Sequence, residues 1–290
     1  MTDLVSTTER GGFLLGVGAQ KAGTSWLHQQ LQQRRDCNFG FLKEYHIHDA
    51  MTVPNLAMYR KQKGSLLKPR TWRRQRFFAD PQRYYNYFAS LLRRDQILLS
   101  GDITPSYCSL SSSTLKTIQR EFNKREIAVR PVFLMRDPVE RILSSMRMKL
   151  RKTGMLNPEA EISTLKELIR RRPERISMRS DYVQTLASLH EAFGLNNCFI
   201  GFYETLFRED TYTQLCDFLG LNYQEPQWTQ KVNQSLSTSA IPNELMREIG
   251  SWQASTLTGV QRYLPDANLS SLWPTAFRCC VNSPISVTPG

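Results

Sequence analysis

Four short apolar runs constrain the fold of this 290-residue chain more than any other feature. They occupy residues 13–17, 97–99, 132–135 and 198–202. Each run is long enough for one buried strand, each is followed by a polar turn, and most then lead into a helical pattern. Buried strands that alternate with helices form a parallel sheet whose faces are covered by the crossover helices. The sequence therefore predicts a doubly wound α/β fold around a central parallel sheet.

Three helix signals follow these runs. After the first, Thr24 or Ser25 can cap a helix. After the third, Asp137 is a capping residue with a proline next to it at the first helical position. After the fourth, residues 213–219 form a helical pattern that Gly220 ends. No repeat or low-complexity linker interrupts the chain, so we expect one domain over residues 1–290, with 1–11 disordered and 274–290 as a C-terminal tail.

Composition excludes several classes of protein. Hydrophobic residues make up 40% of the chain and charged residues 22%, which is typical of a folded protein. No run approaches the ~18 apolar residues of a membrane helix, and the first twelve residues lack a signal-peptide layout. The six cysteines are scattered without a C-x-x-C pair, which favours reduced thiols over disulfides or zinc. We therefore expect a cytoplasmic protein without a transmembrane segment.

The net charge of +12 implies an anionic partner. Nucleic acid, an acidic membrane surface and a phosphate-rich small molecule would all fit this charge. Residues 60–76 hold eight basic residues and no acid, and residues 166–179 form a second basic segment. Such runs are more often solvated surface than binding sites. No RNA-binding or helix-turn-helix signature accompanies them, so a nucleic-acid or membrane-binding module is the weaker alternative.

The stretch from Gly16 to Leu27, with the sequence GVGAQKAGTSWL, is the most informative. A strand ends, a turn of small residues follows and a helix begins, which together form an anion site of backbone N–H groups and a positive helix end. A nucleotide-hydrolysing P-loop needs a lysine directly after its last glycine, whereas here Lys21 precedes Gly23. This departure argues against a nucleotide kinase, which is the second alternative. The third alternative is an ordinary glycine turn between a strand and a helix.

A second phosphate-binding pattern follows the third strand. Arg136 closes that strand, and Ser144 comes about two helical turns later, ~12 Å along the helix. A guanidinium and a hydroxyl so placed can approach one phosphate from two elements.

The order K-x-G-T-[ST]-x-L resembles the 5′-phosphosulfate loop of sulfotransferases that use 3′-phosphoadenosine-5′-phosphosulfate (PAPS). The order R-x-P-x-x-R-x-x-S resembles the segment that holds the 3′-phosphate in the same family. This resemblance implies that PAPS is the sulfuryl donor. The residues it assigns to PAPS binding are Gly18, Gln20, Lys21, Ala22, Gly23, Thr24, Ser25, Trp26, Arg136, Ser144 and Tyr203. Trp26 and Tyr203 would border the adenine or simply pack in the core.

Three further stretches are similar to the heparan sulfate and bacterial carbohydrate-type branch of this family. They are residues 42–49, residues 101–107, and residues 202–206 with 218–221. Glu44 favours this branch. One departure is Ile103, where the branch carries a lysine, so the resemblance implies that Lys43 or another cation takes its place.

The family chemistry assigns three catalytic residues. Lys21 would donate to the departing bridging oxygen, Glu44 would serve as base, and His46 would orient Glu44 or the acceptor, with Asp49 behind them. The alternative for the histidines is structural hydrogen bonding. The acceptor would be a hydroxyl or amine of a carbohydrate, lipid or natural product, possibly anionic. His46 and His48 are two residues apart and lack further ligands at metal spacing, so no metal site is predicted.

Overall fold

The computed structural model describes residues 11–60, 68–229 and 241–281. Lys61 and Lys63 of the first basic segment lie outside the described residues, as do residues 1–10 and 282–290. The strands are β1 (Gly12–Gly18), β2 (Cys37–Asn38), β3 (Leu99–Ile103), β4 (Ala128–Met135) and β5 (Phe199–Phe202). The α-helices are α1 (Thr24–Gln32), α2 (His48–Thr52), α3 (Pro69–Ala79), α4 (Gln82–Leu92), α5 (Ser112–Asn123), α6 (Pro138–Lys152), α7 (Pro158–Arg171), α8 (Glu174–Ser180), α9 (Tyr182–Phe193), α10 (Glu209–Phe218), α11 (Asn243–Tyr263), α12 (Leu269–Leu272) and α13 (Pro274–Val281).

The five strands form one parallel sheet in the order β2-β3-β1-β4-β5. The predicted parallel α/β fold is therefore confirmed. β1 lies at the centre, where Leu14 is level with Gly101 of β3 and Arg130 of β4. The chain crosses from β3 on one side of β1 to β4 on the other, and such a crossing leaves a cleft at the carboxyl ends of the strands.

β1 is buried along its whole length. Phe13 stacks on Phe122 of α5 with ring centroids 3.9 Å apart, and it meets Phe88 of α4 edge-on at 4.9 Å. A fully buried aromatic side chain of this kind stabilises the fold by about 1.5–3 kcal/mol. The apolar run at 13–17 therefore forms the centre of the core, as its composition predicts.

The strand predicted at residues 97–99 is displaced. β3 begins at Leu99 and continues through polar residues to Ile103, while Leu98 is exposed. Asp102 is tolerated in the middle of the sheet because its carboxylate accepts hydrogen bonds from the hydroxyls of Tyr84 at 2.9 Å and Tyr107 at 2.7 Å. β2 has only two residues and went unpredicted, because it is too short to form an apolar run.

The helix starts agree with the sequence in one case and differ in another. The Asp137 carboxylate caps α6, accepting from the N–H groups of Val139 and Glu140 at 3.0 and 3.2 Å. The expected cap of α1 by Thr24 or Ser25 is wrong, because the N-cap is Gly23 and no side chain caps this end. The helix after the fourth apolar run, α10, starts four residues earlier than predicted, at Glu209. Gly220, with φ 67°, follows its C-cap Leu219 and is the predicted stop.

The segment expected as a C-terminal tail begins with the helix α13. Its Ala276 N–H donates to the second carboxylate oxygen of Asp137 at 3.0 Å, and Trp273 just before it is fully buried. Asp137 therefore ties this segment to the start of α6. All six cysteines lie within the described residues and form no disulfide. None of the helices in the described ranges is long and apolar enough to cross a bilayer.

Candidate active site

A cavity of about 390 Å³ opens where the five strands end at their carboxyl edge. The segment that follows each strand contributes residues that line this cavity. They are Gln20 to Ser25 after β1 (except Ala22), Lys43, Glu44 and His46 after β2, Pro105 and Ser106 after β3, Arg136 after β4, and Tyr203 after β5. Parallel strands converge at this edge, so segments that are remote in sequence meet there.

The structure brings ten of the predicted site residues to this one cavity. They are Gln20, Lys21, Gly23, Thr24, Ser25, Glu44, His46, Arg136, Ser144 and Tyr203. The phosphate loop and Arg136 also touch directly, because the Arg136 guanidinium donates to the carbonyl of Lys21 at 3.3 Å although the two residues are 115 positions apart.

The loop after β1 depends on two left-handed backbone positions. Lys21 has φ 72° and Gly23 has φ 87°. At Gly23 only glycine fits, because a Cβ would collide with the Leu206 side chain as well as strain the backbone. Burial, aided by the positive charges of Arg151 and Arg136, lowers the pKa of Lys21 to about 8. An anion bound beside this ammonium would offset both effects.

Arg136 is held in a defined position at the far side of the loop. Its guanidinium lies over the Tyr203 ring, 4.4 Å from the centroid, and 3.7 Å from the Glu140 carboxylate. The side chain is 16% exposed. Ser144 lies on α6 and faces the same cavity. An arginine with a stacked guanidinium and a nearby hydroxyl is suited to bind a phosphate group.

On the other side of Lys21, a chain of polar contacts joins Lys43, Glu44, His46 and Asp49. The Lys43 ammonium donates to Ser25 Oγ at 2.8 Å and to Glu44 Oε1 at 3.0 Å. His46 Nε2 lies 3.3 Å from Glu44 Oε2, and His46 Nδ1 lies 2.7 Å from Asp49 Oδ2. The imidazole is therefore placed between two carboxylates.

These contacts shift two pKa values in opposite directions. Burial opposes the charge of Glu44, but the hydrogen bond from His46 and the charge of Lys43 outweigh it and lower the pKa of Glu44 to about 2. Burial likewise opposes the charge of His46, but its hydrogen bonds to Asp49 and Glu44 raise the pKa of His46 to about 9. At neutral pH the site therefore holds a carboxylate and an imidazolium side by side.

The backbone that carries Glu44 and His46 is fixed from below by buried groups. The Tyr45 N–H donates to Thr104 Oγ1 at 3.1 Å and to Asp102 Oδ1 at 3.3 Å. From the other side, the Arg74 guanidinium donates to the carbonyls of Tyr45, His46 and Tyr59. Arg74 is 1% exposed, so at least one member of the first basic segment is a structural clamp and not solvated surface.

Several residues of the cavity were not predicted from the sequence. The Tyr59 ring stacks on His46 with centroids 4.0 Å apart, and Arg179 joins Tyr59 OH at 3.1 Å to Gln20 Oε1 at 2.9 Å. Ser106 donates to Asp49 Oδ2 at 2.5 Å. Only Ser106 carried a usable signal, because it lies inside the 101–107 stretch; Tyr59 and Arg179 come from segments without a motif.

Three residues assigned to PAPS binding do not line the cavity. Trp26 is 2% exposed and packs against Trp228, Tyr212 and Phe207, so here the packing alternative describes its environment. Ala22 is buried. Gly18 supports the loop indirectly, because a Cβ on it would lie 2.7 Å from the Pro105 carbonyl oxygen.

The two neighbouring histidines have different environments. His46 has φ 51° and lines the cavity, whereas His48 is buried against the rings of Tyr84, Tyr85 and Tyr107. Ile103 is fully buried, and Lys43 is the cation that lies beside Ser25. The described parts of the chain contain no group of three or more His, Cys, Asp or Glu residues placed to hold a metal ion.

Several solved structures are similar to this fold. The structure is similar to a crystal structure of a sulfotransferase from Alicyclobacillus acidocaldarius, with 18% identity, a TM-score of 0.62 and coverage of 91% of this chain and 98% of that one. Similarity extends to the sulfotransferase domain of the Synechococcus PCC 7002 olefin synthase, with 15% identity, a TM-score of 0.45 and coverage of 93% and 92%. A third similar structure is the sulfotransferase domain from the curacin biosynthetic pathway, with 16% identity, a TM-score of 0.44 and coverage of 93% and 96%.

At the level of sequence, no curated protein matches the chain. The model of the sulfotransferase domain family, however, matches residues 14–247, which includes every residue of the cavity described above. The chain therefore belongs to the sulfotransferase domain family.

Proposed function

We propose that this sulfotransferase takes its sulfuryl group from PAPS and transfers it to a hydroxyl or amine of a carbohydrate, lipid or natural product. The observation that supports this most is the direct contact between Arg136 and the Lys21 loop within one cavity. Two phosphate-binding patterns that are far apart in sequence thus face the same space, as a donor with phosphate groups at both ends requires.

The charges of the cavity fit such a donor. Lys43 pairs with Glu44 and His46 pairs with Asp49, so these four groups largely neutralise each other. Lys21, Arg136, Lys152 and Arg179 remain as cations of the wall. PAPS carries roughly four negative charges, and burying them needs cations and N–H donors in about this number.

PAPS supplies an activated sulfuryl group, and the protein supplies position and charge. Lys21 holds a proton on an ammonium whose pKa of about 8 lies near neutrality, so it can donate to an oxygen on which negative charge builds. Ser25 and Lys43 provide further donors beside it. In transfer reactions with a loose transition state, such positioning and electrostatic stabilisation account for most of the rate enhancement.

Glu44 acts as the proton acceptor for the incoming hydroxyl. With a pKa of about 2 it is a weak base in the free enzyme, so it takes the proton late, when the hydroxyl has become acidic through bonding to sulfur. His46 is already protonated and is held by Asp49, so it orients Glu44 and does not take the proton itself. The heparan sulfate and bacterial carbohydrate-type branch remains a prediction.

The test combines binding with turnover. Adenosine 3′,5′-bisphosphate and PAPS at millimolar concentration are expected to raise the melting temperature, whereas ATP with magnesium is not. With ³⁵S-labelled PAPS and a library of hydroxyl and amine acceptors, we expect labelled product from the wild type and little from Glu44→Gln. Glu191→Gln, a surface carboxylate of α9 paired with Lys116, is the matched control. A shift with ATP and magnesium but not with the bisphosphate would instead indicate a kinase.

A further inference from the structure

A second cavity, of about 430 Å³, adjoins the first between α6, α7 and α8. Met148 and Arg179 line both cavities, so the two spaces share a wall. On the first side this wall stands next to the catalytic groups, because Arg179 bonds to Tyr59, whose ring stacks on His46. Met148 and Arg179 therefore lie between the two spaces, and a molecule that occupies both must lie against these two side chains.

The floor of the second cavity is apolar. Leu168 and Met146 are buried there, and Ile176 and Pro173 are half-buried beside them. No motif of the sulfotransferase pattern accounts for this apolar surface, and the first cavity offers a mostly polar one. Apolar surface of this kind favours a hydrocarbon chain or ring by about 25 cal/mol per Å² buried.

The rim of the second cavity is cationic. The one acidic residue that lines it in the described chain, Glu167, is already bonded to Arg170 at 2.8 Å and to Arg171. Lys149 is exposed at the rim and forms no ion pair with any acid in the described ranges. Arg179 bonds to the neutral groups of Gln20 and Tyr59. The rim thus keeps a positive charge for which the described residues provide no paired acid.

Resting on the proposed function, we propose that the acceptor is an anionic amphiphile. Its hydroxyl lies at Glu44, its apolar segment lies on Met146, Leu168 and Ile176, and its anionic group is bound at the rim by Lys149. Arg179 and Met148 form the passage between the two cavities.

The probe is 12-hydroxydodecanoate, and its methyl ester is the uncharged counterpart with the same chain. Both are titrated by calorimetry into protein saturated with adenosine 3′,5′-bisphosphate, whose own binding is measured first. We expect the acid to bind about two- to fivefold more tightly than the ester, because a salt bridge to an exposed lysine is weak. Failure of the bisphosphate to bind would overturn the proposed function; bisphosphate binding with equal affinity for acid and ester would overturn only this inference.

Two variants separate charge from apolar contact. Lys149→Glu is expected to abolish the preference for the acid without affecting the ester, whereas Ile176→Ala is expected to weaken both ligands alike. Arg120→Glu on α5, 64% exposed and remote from both cavities, makes the same change in net charge and should leave the preference intact. Circular dichroism and melting temperature check that each variant is folded. An unchanged preference in Lys149→Glu, or unchanged affinities in Ile176→Ala, would refute the assigned positions.

Discussion

Arg136 offers the sharpest test of the donor site. If its guanidinium binds the 3′-phosphate, Arg136→Ala should weaken adenosine 3′,5′-bisphosphate but not adenosine 5′-monophosphate, which lacks that phosphate. A hydrogen bond to a charged group contributes about 1.5–3 kcal/mol when it is protected from water. Arg136 is 16% exposed and preorganised over Tyr203, but it also lies 3.7 Å from Glu140, which competes for it.

We therefore expect a loss of about 2 kcal/mol, which is about a 30-fold rise in the Kd of the bisphosphate. Isothermal titration calorimetry gives the Kd of each nucleotide for the wild type and for Arg136→Ala. The change in the bisphosphate Kd is then compared with the change in the monophosphate Kd, because a general disturbance of the loop would change both alike. Ser144→Ala should act in the same direction with a smaller effect, because it removes an uncharged partner. Equal weakening of both nucleotides in Arg136→Ala would show that Arg136 only supports the Lys21 carbonyl, and the phosphate assignment would be wrong.

Three other perturbations have calculable signs. Lys21→Met should abolish turnover yet raise the melting temperature at pH 7, because the folded state lowers the pKa of Lys21 to about 8 and so disfavours its charged form. The gain in melting temperature should vanish as the pH rises from about 8 towards 10.5, the pKa of Lys21 in the unfolded chain. Thermal scans across this pH range measure the effect. His46→Gln should lower the melting temperature by a few degrees at pH 6, with the difference from wild type shrinking as the pH rises through about 9, because the folded pKa of His46 lies above its unfolded value of 6.5. A constant difference across that range would contradict the charged pairing of His46 with Asp49 and Glu44. Arg74→Met should lower the free energy of unfolding, measured in urea, by several kcal/mol, because it removes the donor to three backbone carbonyls at about 1–3 kcal/mol each. Arg70→Met, at an exposed neighbouring position on α3, is the control and should change this free energy by less than about 0.5 kcal/mol.

The basic residues of the first basic segment, residues 60–76, have different environments in the structure. Residues 60–76 read as a uniform run of positive charge, which led to a nucleic-acid or membrane module as an alternative. Within the described residues, however, Arg60 donates to the Ala50 carbonyl at 2.9 Å, and Arg74 is buried and donates to the carbonyls of Tyr45 and His46. Both guanidinium groups bind backbone carbonyls, and the buried Arg74 is not available to a large anionic partner.

Local patterns in the sequence determined β1, β4 and β5, the loop after β1 and the position of Arg136 at the end of β4. An apolar run, a glycine at a close approach and a proline after a capping aspartate each act over a few residues, so they can be recognised without the fold. The prediction failed where a local pattern was incomplete. The polar residues of β3 concealed most of this strand, because the hydroxyls that satisfy Asp102 come from Tyr84 on α4 and from Tyr107 beyond the end of the strand.

Only the tertiary structure decided which side chains complete the cavity. Arg179 reaches Gln20 across 159 positions and Tyr59 across 120, and neither contact has a local signature. Trp26, next to the loop in sequence, instead packs in the core among Trp228, Tyr212 and Phe207. The physical reason is that a backbone conformation depends mainly on neighbouring residues, whereas the environment of a side chain depends on which remote segments the folded chain brings within a few ångströms of it.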